Sequence, residues 1–168
     1  EFGGKNMDFF NVISEEDAVK LISEEVKLNI GYEKVNIVES VSRICYEDIR
    51  AKANIPEFKR SSVDGFAVSA KDTYGASEAM PAILDYKGEV LMGMVPPVNI
   101  GLGQCLYVPT GGMLPDNGDS IVMIEYTDKL DENTVLSYTP VAKGDNVIGI
   151  GEDVKAEDII IKKGQRLR

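Results

Sequence analysis

From Tyr32 onward the chain is cut into short segments rich in β-branched residues and separated by glycines. That punctuation constrains the fold more than any other feature, because segments this short and this closely interrupted suit strands and turns better than helices. Extended runs are predicted at Val35–Val38, Ile49–Ala53, Phe66–Ser69, Ala82–Tyr86, Gln104–Val108, Ser120–Thr127, Thr134–Tyr138 and Ile159–Ile161. A single helical turn is expected around Ile44, between Ser40 and Glu47.

The exception stands at the front. Ser14 is a fitting N-cap, Glu15, Glu16 and Asp17 supply first-turn acids, and Ala18, Leu21, Ile22 and Val26 fall on one face. The helix is expected to end near Asn29–Gly31, with Glu15, Glu16, Glu24 and Glu25 on its solvated side. Residues 1–6, EFGGKN, precede Met7 and read as the remnant of an expression tag. The expected class is therefore mainly β with an N-terminal helix (α+β). Composition shifts near Ala53–Glu57 and Gly144–Gly151 suggest a discontinuous domain, 7–52 with 151–168, interrupted by a β-rich insertion at 53–150.

Composition removes whole classes of chemistry. With 0 histidines and 0 tryptophans among 168 residues, a histidine base, a Ser-His-Asp triad and His-ligated zinc are excluded within this chain. Carboxylate, hydroxyl, lysine, arginine and backbone-amide chemistry remains. A net charge of -10 argues against nucleic acid as the general partner, and no apolar run is long enough for a membrane-spanning helix. Cys45 and Cys105, far apart in sequence, fit buried thiols in a reducing, cytoplasmic setting.

Three stretches could carry chemistry. In FKRSSVDGFAV, residues 58–68, Asp64-Gly65 reads most simply as a two-residue type I′ hairpin turn, which leaves Lys59, Arg60, Ser61 and Ser62 unexplained. In VPTGGMLP, residues 108–115, Thr110, Gly111 and Gly112 form either an ordinary turn or an anion-binding nest of a hydroxyl and open amides. At Gly151-Glu152-Asp153-Val154, adjacent carboxylates are either solvated or oxygen ligands for a hard cation.

In their order these blocks resemble the N-terminal half of the MoeA and gephyrin E-domain family, the molybdopterin molybdenumtransferases. The matching residues are Ile55-Pro56 with Ser61–Val68, then Thr110–Pro115, then Gly118–Val122, then Gly151–Val154. The resemblance implies an elongated domain interrupted by a β-rich insertion, followed in the family by an α/β domain that is expected to be absent from residues 1–168. It also implies insertion of molybdate into adenylylated molybdopterin with release of AMP, with Mg2+, by a homodimer. Asp64 would be catalytic; Thr110, Gly111, Gly112, Ser61, Ser62, Lys59 and Arg60 would bind substrate; Asp153 and Glu152 would serve a metal. Lys59-Arg60 and Ile148-Gly149-Ile150 depart from the family pattern, where Asp-Asn and arginines are common. Those departures keep a second reading open, a non-catalytic binding or scaffold module on the same fold.

Overall fold

The computed structural model describes residues 13–27 and 31–168. The tag reading therefore lies outside the described residues, as does Asn29. Helix α1 spans Glu15–Glu25, and the Ser14 hydroxyl accepts the Asp17 amide at 3.1 Å, satisfying one of the amides that a helix start leaves open. It stops short of the expected Asn29–Gly31 because Val26 already turns extended. None of its residues is buried, and its apolar face, with Leu21, Ile22 and Val26, is open to solvent.

Strands β1 (Ile49–Arg50), β2 (Arg60–Ser61), β3 (Gly65–Val68), β4 (Ala82–Glu89), β5 (Gln104–Val108), β6 (Ser120–Met123), β7 (Thr127–Lys129), β8 (Thr134–Ser137), β9 (Val147–Ile148) and β10 (Ile159–Ile161) make two structures. The first is a long ribbon in which residues 42–62 run antiparallel to residues 146–167. Ser42 donates to the Leu167 carbonyl, Ile44 bridges Arg166, β1 pairs with β10, Ile55 bridges Val154 and β2 pairs with β9. The second is a six-stranded sheet in the order β6-β3-β5-β4-β8-β7, antiparallel except between β4 and β5.

The sheet holds the core on both faces. Phe66, Val68, Cys105, Val122, Leu84 and Val135 pack on one side, while Ala67, Leu106, Val108, Ile121, Val90 and Ile100 pack on the other. Alternation within β3, β5 and β6 sends successive side chains to opposite faces, so both halves of the pattern are apolar.

Several sequence expectations change. Val35–Val38 is not a strand; Asn36 caps a short 3-10 turn at Ile37–Glu39 by accepting the Val38 amide. The stretch Ser40–Glu47 contains no helical turn at Ile44, which instead pairs with Arg166. The Ser120–Thr127 run breaks after Met123 into a 3-10 turn and restarts as β7. Most consequential, Asp64-Gly65 is not a hairpin turn, because β2 pairs with β9 whereas β3 pairs with β5 and β6. Gly65 is required for a different reason: a Cβ there would lie 2.1 Å from the Val122 carbonyl oxygen. Close backbone approach, not a positive φ, selects the glycine.

Candidate functional site

The predicted site residues gather where the ribbon enters the sheet. β2 is the middle of three chains there, with β9 on one side and residues 111–114 on the other. The Leu114 amide donates to the Lys59 carbonyl at 3.0 Å, Ser61 to Gly112 at 2.9 Å and Gly111 to Ser61 at 2.8 Å, and Arg60 bridges Met113. Gly112 allows this approach, since a Cβ would fall 2.8 Å from a Val108 methyl and 2.9 Å from the Pro109 carbonyl.

This pairing fixes which polar groups face outward. Ser61 is 1% exposed and its hydroxyl donates to the Val63 carbonyl at 2.5 Å, so it serves the local turn and is closed to solvent. The Gly111 amide is held by Ser61 and the Gly112 amide by Pro109 at 2.8 Å. The expected nest is thus closed by the chain's own carbonyls. Lys59 and Ser62 are exposed.

Asp64 and Thr110 meet directly. The Thr110 amide donates to Asp64 Oδ1 at 2.7 Å and its hydroxyl donates to the same oxygen at 2.9 Å. Both residues are exposed. The Thr110 amide first, then its hydroxyl, holds the Asp64 carboxyl below its ordinary value, against a small opposing effect of desolvation. Asp64 is accordingly ionised at neutral pH, and among the described residues no hydrogen bond reaches its Oδ2. Thr110 has both donors on Asp64, so the pair offers acceptors to a ligand: a free carboxylate oxygen and the hydroxyl lone pairs.

Tyr107, on β5, feels the charge of Asp64 and was not expected. Burial, then the negative charges of Asp64 and Glu89, push its phenol pKa up. The phenol therefore keeps its proton. The ring is steadied edge-on against Phe66 at 5.6 Å. The available signal was position: in a strand ending at Val108, alternation puts Tyr107 on the face opposite Leu106 and Val108.

The third stretch joins by way of Arg60. Its Nη2 lies 3.4 Å from Asp153 Oδ2, while the Glu152 carboxylate accepts the Gly149 amide at 2.6 Å. The expected metal pair is thus divided between a guanidinium and a turn amide. Among the described residues no group of three or more Asp, Glu or Cys side chains is gathered to hold a metal ion. Surface depressions lie elsewhere. One of about 360 Å³ is lined by residues such as Ala51, Ile55, Pro56 and Ile160 on the ribbon, another by Ile161 and Gln165–Arg168, and neither includes Asp64 or Thr110.

The fold and site together define a mainly β protein, with one α-helix among its described residues, whose polar cluster sits on an open surface where a ribbon meets a sheet. The chain belongs to the family described as MoeA N-terminal region (domain I and II), which it matches over residues 13–168. It is 38% identical over 144 residues to a putative molybdopterin biosynthesis protein of Methanocaldococcus jannaschii, covering 86% of this chain and 34% of that one. Similarity to the molybdopterin molybdenumtransferase of Bacillus subtilis is 34% over 139 residues, covering 80% and 32%. The crystal structure of the molybdopterin biosynthesis moeA protein of Pyrococcus horikoshii OT3 superposes with a TM-score of 0.87 at 33% identity, covering 94% of this chain and 41% of that chain. The chain thus spans about a third of the length of these curated relatives.

Proposed function

We propose that this chain forms one wall of the site in a molybdopterin molybdenumtransferase, where molybdate is inserted into adenylylated molybdopterin and AMP is released. The observation that carries the reading is the Asp64–Thr110 contact: an ionised, solvent-facing carboxylate held by two donors from one residue. Such a group accepts a proton, or a hydrogen bond from substrate or water, without first losing a proton of its own. Thr110 orients Asp64 through its amide and its hydroxyl.

An open surface cannot exclude water by itself. A second wall, from another domain or a second copy, completes the site in this proposal. The apolar side chains left exposed on the ribbon, among them Ile44, Ile55, Ile150 and Ile160, support a homodimer. Two free, buried thiols accord with a reducing cytoplasm. Among the described residues no helix is long and apolar enough to cross a membrane.

The test is Asp64→Asn in the complete transferase. The Asn oxygen keeps both Thr110 hydrogen bonds while the charge and proton acceptor are lost, so molybdate-dependent cofactor formation is expected to fall by about a hundredfold or more while the protein stays folded, with at most a small drop in melting temperature. Formation at the wild-type rate removes Asp64 from the reaction and leaves the scaffold reading in its place.

A further inference from the structure

Arg60 is an incomplete pairing. Its neighbour Ser61 points into the protein, so alternation sends the Arg60 side chain to the opposite face, where it lies half-buried at the joint. Among the described residues, Arg60 Nε is the buried side-chain nitrogen or oxygen without a hydrogen-bond partner. Its ion pair is also stretched, because Nη2 reaches Asp153 Oδ2 only at 3.4 Å, against the roughly 2.7–2.9 Å of a good charge-assisted bond.

The two facts concern one edge of the guanidinium. Nε and Nη2 lie side by side in a planar fork whose spacing matches two oxygens of a carboxylate or phosphate. Asp153 meets half of that edge loosely, and the other half, the buried Nε, has no acceptor. Across the ladder stand Ile148 on β9 and Met113 on the facing loop, neither of which has a side-chain oxygen to complete it. Buried polar groups in folded proteins are nearly always paired, so a donor left open beside a weakly held, exposed carboxylate is the arrangement expected of a ligand position.

We propose that the Nε–Nη2 edge of Arg60 binds a tetrahedral oxyanion, with the Asp153 carboxylate occupying part of that position until the anion displaces it. Asp153 is then a competitor for Arg60 and sets how tightly the anion is held. The closed amides at Gly111 and Gly112 strengthen the case, since they leave the anion dependent on a side chain. The inference rests on the transferase reading only for the identity of the anion, either the phosphate ester of the adenylylated substrate or molybdate.

Equilibrium titration of the complete protein with AMP, inorganic phosphate and molybdate tests this without turnover. Failure of the Asp64 test would therefore leave its result intact. Arg60→Met is expected to weaken anion binding by about tenfold or more, one lost charge-assisted pair, and Arg60→Lys to recover only part of it. Asp153→Asn is expected to tighten binding by a few-fold, because the competitor has lost its charge. Preference for AMP over phosphate and molybdate identifies the ester as the ligand; preference for molybdate identifies the metal oxyanion. Unchanged binding in Arg60→Lys, folded as judged by its melting temperature, overturns the proposal. So does weaker or unchanged binding in Asp153→Asn, which would make Asp153 a supporting residue rather than a competitor.

Discussion

The sheet and the ribbon are built from the same kind of chain and hold together differently. In the sheet, β3, β5 and β6 bury residues on both faces, and Val68, Leu106, Val108, Ile121 and Val122 are each 0% exposed. In the ribbon, backbone pairs run from Ser42 opposite Leu167 to Ser62 opposite Asn146, yet Ile44 is 66% and Ile160 54% exposed. Side-chain support there is local: Tyr32 stacks on Tyr46 with ring centres 4.5 Å apart, and Lys163 sits over the Tyr46 ring. The difference separates two sources of order. Apolar burial makes the sheet self-sufficient, whereas the ribbon has its hydrogen bonds but lacks a second layer.

Core truncation gives the largest expected effect. Leu106→Ala removes a side chain that is 0% exposed and is expected to cost about 2–5 kcal/mol in denaturant unfolding. Ile160→Ser on the ribbon is expected to change monomer stability by no more than about 0.5 kcal/mol while weakening self-association in sedimentation. Equal stability losses would break the contrast between the regions. Unchanged association would remove Ile160 from the dimer surface.

The two thiols report on the regions separately. Cys105, in the sheet, is 0% exposed, and burial first, then the Asp85 charge, pushes its thiol up to about 12. Cys45, in the ribbon, is 8% exposed and donates to the Glu47 carbonyl at 3.0 Å. Because the thiolate is the reacting form, pulsed alkylation should label Cys45 through local opening of the ribbon and Cys105 only with global unfolding. Matched rates would show that ribbon and sheet open as one unit.

The sheet was readable in advance because its signal is local. Gln104–Val108 appears with the expected bounds, and β3, β4, β6 and β8 begin where alternation and flanking glycines placed them, or within a residue of it. The ribbon was legible in part: Ile159–Ile161 appears with the expected bounds and Ile49 begins β1 as expected, but Ile44 carries an ambiguous short pattern, and the partner that settles it is Arg166, at the other end of the chain. The site divides along the same line. Motif order placed Asp64 beside Thr110, but a glycine-rich sequence cannot say which carbonyls its amides will meet, and β2 closed the nest at Gly111 and Gly112. Gly65 shows the same limit, since its Asp-Gly signal is ordinarily a turn signal and its actual constraint comes from Val122 on β6.

The smallest effect tests the seam between the two regions, where Asp64 precedes β3. Its carboxyl is held below 3.8 chiefly by the Thr110 amide and secondarily by the Thr110 hydroxyl. A depressed folded-state value means that Asp64 stabilises the fold fully above the ordinary carboxylate range, and that this contribution is lost as the pH falls through the lower folded-state value. Thr110→Val removes the second cause and keeps the first, because the backbone N–H survives the substitution. In an NMR titration the Asp64 carboxyl is therefore expected to move part of the way back toward 3.8. Asp131, whose own depression comes from Asn133 and Thr134, should stay in place as a control. Complete return of Asp64 would mean that the backbone bond depends on the Thr110 side chain, so that the loop end of β5 is held by the site rather than by the sheet. No movement would assign the whole effect to the backbone and leave the hydroxyl free for a ligand.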